Sequence, residues 1–282
     1  MDTSNLAKRM KEYESVNKVY LTKRMPVLLR FDGCHFKTFT RRFIKPEQIL
    51  IKTMQETAKY LCENIQNAVF AYTQSDEITV LLVDYYDIGV STWFNNKRSK
   101  MESVGASMCT MAFNKFFRKN VEEFVEKNYD PENKSIVEYI DVLNKAIDEG
   151  AMFDCRAFNI PKDEVTNNFF WRQSDASRNS ILMFGQKYFG YSGIYNKTCS
   201  EIQDMLMLKK GINWNDYPTE QKRGSCIIKS NENEQIRTDN VGEFGDILGS
   251  KILVRKKWIV DKEIPIFKGD GREYIERFVN LD

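Results

Sequence analysis

The spacing of hydrophobic residues predicts a chain in which helices and strands alternate. Apolar residues recur every three or four positions over residues 6–20, which predicts a short amphipathic helix. Residues 26–32 form an apolar run that is followed by Gly33, the pattern of a buried strand. Helical spacing returns at Pro46, which can occupy the first turn of a helix, and continues to Ile65.

Two β-rich segments follow, and a polar connection of hairpin length separates them. The segments cover residues 68–72 and 78–83, and the connection has the sequence TQSDE. We therefore predict an antiparallel hairpin with Asp76 at its tip.

The second half of the chain continues the alternation less regularly. We predict a long helix over 100–127, a strand over 152–160, helices over 161–189 and 200–210, and a strand over 223–229. The polar, glycine-containing stretch 230–246 predicts a loop or a partly ordered insert, and the basic tail after it predicts one more strand. The pattern favours an α/β or α+β fold with helices on one face of the sheet.

Composition narrows the classes of protein. With 282 residues, 42% hydrophobic and 29% charged, the chain is long enough for a sizeable core. A net charge of +2 excludes a histone-like protein, so an RNA partner would need local basic clusters. The six cysteines form no CxxC pair, and the only histidine, His35, excludes a metal site with two histidines in one chain. With no long apolar run, we expect a soluble, cytoplasmic protein without a membrane segment.

The end of the first predicted strand carries candidate chemistry. Asp32 would sit on a rigid element, and Gly33 would let the backbone approach a ligand closely. The amides of the next residues enter a turn of the kind that binds phosphates, and basic side chains follow. The amides are those of Cys34, His35, Phe36 and Lys37, and the charge comes from Lys37, Arg41, Arg42 and Lys45. The alternative is a turn that simply ends the strand.

A second carboxylate strengthens the interpretation. Ser75 and Asp76 would lie at the hairpin tip, where oxygen ligands from two strands could hold Mg²⁺. Asp32 and Asp76 together suggest a two-metal site for phosphoryl or nucleotidyl transfer, if their strands are neighbours. The alternative for Asp76 is a β-turn that uses its side chain for local hydrogen bonds.

Two polar clusters are candidates for RNA contact. Lys97, Arg98 and Lys100 precede the long helix and could reach a triphosphate or RNA, although such runs also occur at solvated helix ends. In the segment WRQSDASRNS, helical spacing places Arg172 on one face with Asn179, close to Arg178. That face predicts either contact with a nucleotide or RNA, or an exposed helix that carries salt bridges.

An ordered set of motifs resembles the tRNA-histidine guanylyltransferase family. The motifs are LLRFDGCHFKTFT, FIKP, AYTQSDEITVLL, WFNNKRSK, MFDCRAFNIP, WRQSDASRNS and YPTEQKRGSCIIK, and they span most of residues 25–229. The resemblance implies a polymerase-palm-like antiparallel sheet with helices packed on it. It also implies an enzyme that activates a tRNA 5′ end with a nucleoside triphosphate and then adds nucleotides in the 3′-to-5′ direction.

The resemblance further implies roles for individual residues. Asp32, the carbonyl of Gly33 and Asp76 would hold two Mg²⁺ ions, with ATP and GTP as substrates. The triphosphate would meet Cys34, His35, Phe36, Lys37 and Ser75, and Lys45 and Lys100 match residues implicated in phosphate or RNA handling. Lys97, Arg98, Arg172, Arg178 and Asn179 are the candidate RNA contacts. A homotetramer with tRNA lying across subunits is implied. We expect a catalytic domain over residues 1–230 and a C-terminal extension over 231–282 packed on it.

The chain departs from the eukaryotic members in two motifs. Ser177, Arg178, Asn179 and Ser180 stand where those enzymes have His-Ile-Asn-Asn, and Cys34 replaces the usual arginine. The chain looks more like the bacterial and archaeal guanylyltransferase-like branch, which is associated with templated repair of truncated tRNA 5′ ends. A strict tRNA-histidine guanylyltransferase, a nucleotide cyclase or two-metal phosphohydrolase, and a non-catalytic RNA-binding protein remain as alternatives.

Overall fold

A six-stranded antiparallel sheet forms the centre of the computed structural model, which describes residues 4–43, 48–241 and 247–280, and between 231 and 255 the backbone alone. The strands are β1 (Val27–Cys34), β2 (Ala68–Gln74), β3 (Glu77–Leu82), β4 (Met152–Asn159), β5 (Ser225–Val241) and β6 (Ile247–Asp261). Their order across the sheet is β4-β1-β3-β2-β5-β6, and every neighbouring pair is antiparallel. The predicted fold class is confirmed.

Helices surround this sheet. In the described residues they are α1 (Asn5–Ser15), α2 (Phe36–Phe39), α3 (Gln48–Asn64), α4 (Arg98–Asn128), α5 (Lys134–Glu149), α6 (Lys162–Ile194), α7 (Cys199–Lys210), α8 (Thr219–Arg223) and α9 (Glu273–Asn280). The first helix ends at Ser15, earlier than predicted, and buries none of its residues. Pro46, the predicted start of the next helix, lies outside the described residues.

Both faces of the sheet are covered, which corrects the expectation of helices on one face. Successive side chains of a strand point to opposite faces. On β1, Leu29 and Phe31 therefore pack in a core with α3, α4 and α5, whereas Leu28 packs in a second core with α6 and α9. A strand buried on both faces is apolar along its length, which explains why residues 26–32 show no alternation.

The prediction of a loop over 230–246 is wrong for residues 230–241. These residues continue β5 and pair with β6, for example Ile236 with Leu253. A long two-stranded ribbon satisfies its backbone hydrogen bonds across the pair even when its sequence is polar, so composition alone misled the prediction. Residues 242–246 lie outside the described residues. Sequence reasoning also left α5 and α9 unassigned.

Gly224 joins α8 to β5 beside the predicted hairpin, and its conformation excludes other residues. Its φ is +82°, and an added Cβ would lie 2.4 Å from the carbonyl oxygen of Thr73. Its ψ of −167° completes a conformation that is essentially restricted to glycine, so we expect Gly224→Ala to lower the free energy of unfolding by roughly 1–3 kcal/mol for the backbone, and further for the clash. Urea unfolding followed by circular dichroism measures the change.

Gly211→Ala is the matched control for this prediction. Its φ is +66°, but an added Cβ would meet nothing within 4 Å. The control is expected to lose the backbone contribution only. Equal destabilisation of the two variants would show that Gly224 is not needed for the close approach of α8 to β2.

Candidate active site

The structure brings Asp32 and Asp76 to the same end of the sheet. Asp32 lies near the end of β1, and Glu77, which follows Asp76, is its partner on β3. The amide of Gly33 donates a 3.2 Å hydrogen bond to the carbonyl oxygen of Asp76. The condition for a shared site, that the two strands be neighbours, is therefore met.

The hairpin turn fixes the direction of Asp76. Ser75 adopts a left-handed φ of +50°, and its hydroxyl donates a 2.9 Å hydrogen bond to Oδ1 of Asp76. Burial raises the pKa of Asp76, the bond from Ser75 opposes the increase, and the charge of Asp32 adds to it. The local hydrogen bond of the turn is thus present, and it restrains one carboxylate oxygen of Asp76.

The chain after Gly33 turns sharply into α2. An added Cβ at Gly33 would lie 2.4 Å from Cδ2 of Phe36, so only glycine fits here without movement of that ring. His35 has a φ of +53° and is followed by right-handed residues, a backbone pattern that directs successive amides to one side. The predicted segment 34–37 therefore forms a turn beside the two carboxylates.

A cavity of about 350 Å³ opens next to Asp76. Small-molecule sites are commonly of this size. Five elements form its wall: α2, α3, the hairpin turn, α6 and α8. The lining residues include Phe36, Lys37, Phe43, Ser75, Asp76, Asn179, Ser180, Gln221 and Arg223. Phe36, Lys37, Ser75, Asp76 and Asn179 were predicted from the sequence as nucleotide or RNA contacts.

Sequence reasoning missed the side of this cavity that α8 provides. Gln221 and Arg223 lie there, and in the part of the chain that the structure describes, Oε1 of Gln221 and Nε of Arg223 are buried without hydrogen-bond partners. Buried polar atoms usually have a partner, so a bound molecule with a donor and an acceptor would complete these two. Their motif, EQKRG, was noticed only as part of the family resemblance.

Behind the turn, a buried ion pair connects the hairpin to α6. Arg172 donates from Nε to Oε1 of Glu77 at 2.8 Å and from Nη2 to Oε2 at 2.7 Å. Arg30 reaches the same Oε2 at 3.0 Å and lies 3.7 Å from Oδ2 of Asp32. The side chains of Arg172 and Glu77 are 8% and 5% exposed. These contacts do not favour the predicted role of Arg172 in RNA binding, which stays a prediction.

The carboxylate of Asp175 accepts hydrogen bonds from the other polar residues of this helix face. It accepts hydrogen bonds from Arg172 at 3.2 Å, from Asn179 at 3.4 Å, and from Arg178. Arg178 is largely exposed. The face therefore carries the salt bridges that the alternative interpretation of this segment expected, and its two outer residues remain accessible.

The cations before the long helix lie away from the carboxylates of the same chain. Lys97 precedes α4, and Arg98 and Lys100 belong to its first turn. Farther along α4, Glu102 accepts a hydrogen bond from the amide of Ala157, and an added Cβ at Gly105 would contact Phe31. The helix thus packs on the face opposite Asp32, with its start at the other end of β1. The structure does not bring Lys100 to Asp76, and Lys45 lies outside the described residues.

The antiparallel sheet with two carboxylates at one strand end, beside a cavity, is typical of enzymes that transfer phosphoryl or nucleotidyl groups. The family model of the tRNAHis guanylyltransferases (Thg1) matches residues 7–161, and the chain belongs to this family. It is therefore related to nucleotidyltransferases that act in tRNA processing.

Relatives of known structure cover almost the whole chain. A bacterial tRNA(His) guanylyltransferase (Thg1)-like protein in complex with ATP is 38% identical, with a TM-score of 0.76, and the match covers 98% of this chain and 99% of that one. Such a protein in complex with GTP is 37% identical, with a TM-score of 0.71 and the same coverage. The tRNA(His) guanylyltransferase of Saccharomyces cerevisiae is 25% identical over 73% of this chain and 83% of its own.

We expect Arg172→Met to lower the free energy of unfolding by about 3 kcal/mol, because it leaves the buried carboxylate of Glu77 with Arg30 alone. Chemical denaturation at neutral pH measures this change. Arg178→Met is the control: its side chain is 62% exposed, so a change within about 0.5 kcal/mol is expected. A similar small change for Arg172→Met would contradict a stabilising role for the ion pair with Glu77.

Proposed function

We propose that the protein adds nucleotides to tRNA 5′ ends in the 3′-to-5′ direction after a nucleoside triphosphate has activated the 5′ end. Each incoming nucleotide is chosen by its pairing with the opposing base of the tRNA. The main support is that Asp32 and Asp76 lie at the same end of the sheet, where the amide of Gly33 donates to the carbonyl of Asp76, and that Asp76 lines a cavity of about 350 Å³. The relatives with bound ATP and GTP support nucleoside triphosphates as substrates.

The residues fit two Mg²⁺ ions. In the described residues no group of three acidic, cysteine or histidine side chains could hold a metal ion. Magnesium, however, is commonly held by one or two carboxylates with substrate phosphates and water as the other ligands. Asp32, Asp76 and the carbonyl of Gly33 supply such oxygens. When bound, the ions would neutralise charge on the transferring phosphate.

The side chains around the carboxylates would position the triphosphate. Lys37 lines the cavity and carries the charge that pairs with phosphate oxygens. The turn at 34–37 directs backbone amides to the same region. Asn179 lines the opposite wall, where Asp175 orients its amide at 3.4 Å. Holding the reacting groups in place in this way is a main source of rate in phosphoryl transfer.

The segment after the WRQ motif supports templated repair over strict addition to tRNA-histidine. The hydroxyl of Ser177 donates to the carbonyl of Gln173 in its own helix at 3.0 Å, and Arg178 contacts Asp175 at the surface. Neither the Ser177 hydroxyl nor the guanidinium of Arg178, both already bonded within the helix, replaces the imidazole of the eukaryotic members. Selection would then fall to base pairing between the incoming nucleotide and the tRNA.

A homotetramer would give the remote cations a function. Lys97, Arg98 and Lys100 lie on the face opposite Asp32, so in one chain they lack a role at the carboxylates. In an assembly of several copies they could contact RNA that is bound across subunits, as local basic clusters do.

Among the helices of the described residues, none has both the length and the apolar character that a membrane crossing needs.

We expect Asp32→Ala and Asp76→Ala each to reduce nucleotide addition to less than about a tenth of the wild-type rate, a barrier increase of at least ~1.4 kcal/mol. The assay follows extension of a tRNA that lacks its first nucleotide, with ATP, GTP and Mg²⁺. Asp141→Ala is the control, since Asp141 is exposed on α5, which packs on the face of the sheet opposite Asp32. A non-catalytic RNA-binding protein would consume no triphosphate, and a cyclase would consume it without RNA.

A panel of truncated tRNAs separates templated repair from strict guanylyl addition. We expect kcat/KM to be highest for the triphosphate that completes a Watson-Crick pair, for each of the four opposing bases and on several tRNA species. The physical reason is that correct pairing positions the reacting hydroxyl. Preference for GTP whatever the opposing base, confined to tRNA-histidine, would contradict the repair proposal.

A further inference from the structure

Trp171 presents an exposed aromatic surface beside the candidate active site. It lies on α6, is 56% exposed, and is not among the residues that line the cavity. The guanidinium carbon of Arg30 lies 6.0 Å from the centre of its ring, and Nη2 of the same arginine lies 3.7 Å from Oδ2 of Asp32. One arginine side chain thus spans the space between Trp171 and Asp32.

The indole packs against a guanidinium group that is itself held in place. The guanidinium carbon of Arg172 lies 4.5 Å from the ring centre, and Arg172 is held by both oxygens of the buried Glu77. A cation over an aromatic ring is favourable, more so when it is partly desolvated. An exposed tryptophan on such a support keeps a fixed orientation, so a planar ligand that stacks on it would cost little ordering entropy.

Arginine side chains, each with a carboxylate partner, lie on the sheet face that carries the ring. Arg156 on β4 is the direct partner of Arg30 on β1, so both project to the face that carries Trp171. The side chain of Arg156 is 56% exposed, and its carboxylate neighbour, Asp154, lies 3.8 Å away. An accessible aromatic ring with an exposed arginine beside it matches the chemistry of a nucleotide: a planar base linked to an anionic phosphate.

We propose that Trp171 is a stacking platform for the unpaired template base of the RNA, the base opposite the missing 5′ nucleotide. This inference rests on the proposed function, since it needs an RNA end at Asp32. Every base has a stacking face, so the platform would hold any base and leave selection to pairing. The triphosphate cavity and Trp171 would then serve two different ligands on the two sides of the carboxylates.

The kinetic test compares Trp171→Ala with Trp171→Phe in the extension of a truncated tRNA. We expect the alanine variant to raise KM for the tRNA about tenfold or more, the effect of losing one stacked base, and to leave KM for ATP unchanged. The phenylalanine variant, which keeps an aromatic face, should recover most of the affinity. Tyr191→Ala is the control: Tyr191 is 71% exposed on the same helix, but it lies beyond the kink at Gly190 and its ring contacts Tyr195.

A binding test does not depend on activity. Trp93 and Trp258 are 8% and 5% exposed, whereas Trp214 is half-buried near the cavity, so the difference in quenching between wild type and Trp171→Phe, not the total signal, isolates Trp171. We expect tRNA that lacks its first nucleotide to quench wild type more than Trp171→Phe, and the same tRNA with a complete acceptor stem to show a smaller difference. Because this test compares only wild type and Trp171→Phe, it also applies if Trp171→Ala fails to fold.

The outcomes distinguish this inference from the proposed function. Equal quenching of wild type and Trp171→Phe, or an unchanged KM for tRNA in Trp171→Ala, would overturn the platform while nucleotide addition by wild type stands. Quenching by tRNA that depends on Trp171, without any nucleotide addition by wild type, would support the platform and contradict the proposed function. Quenching by peptides but not by RNA would identify a protein partner and overturn the inference.

Discussion

The carboxylate of Glu77, buried between the guanidinium groups of Arg172 and Arg30, is the contact on which the rest of the site depends. Because Glu77 directly follows Asp76, its two hydrogen bonds to Arg172 hold the hairpin turn against α6. Arg172 also donates to Asp175, the acceptor that orients Asn179 at the cavity wall. Through Arg30 the same carboxylate reaches the strand that carries Asp32. Two strands and a helix are thus fixed around one anion.

Such a cluster adds little to the stability of the fold, but it fixes the orientation of its side chains. Removing each ion from water costs several kcal/mol, and well-packed apolar side chains of similar volume often serve a fold as well or better. Apolar contacts, however, fix distance without fixing angle. The two parallel hydrogen bonds between Arg172 and Glu77 set both, and carboxylates that act on a phosphate need both to be held closely. We infer that the ion pair is retained for the geometry of the turn beside it.

The sequence predicted the strands and the hairpin because their signals are local. The apolar run of β1, its glycine and the polar link before Ile78 each indicate structure within a few residues, and antiparallel pairing then places Asp32 near Asp76. Spacing on α6 also placed Arg172 and Asn179 on one face correctly. It could not tell which way that face turns, since helical periodicity gives relative direction only, and the inward orientation of Arg172 comes from its long-range partner on β3. The distance of Lys100 from the carboxylates and the α8 wall of the cavity likewise depend on tertiary packing that no short segment encodes.

The two sides of the carboxylate pair differ in shape, and this difference bears on the function. On one side the cavity is walled by five elements and suits a small molecule with an apolar and a charged end. On the other, Trp171 and Arg156 lie open on the surface, where the end of a much larger molecule can approach Asp32. A nucleotide cyclase or a phosphohydrolase of small substrates needs only the enclosed side. An enzyme that joins a nucleotide to an RNA end needs both sides, with the reacting phosphate between them. The open aromatic side is therefore the feature that favours the proposed RNA substrate over these alternatives on physical grounds.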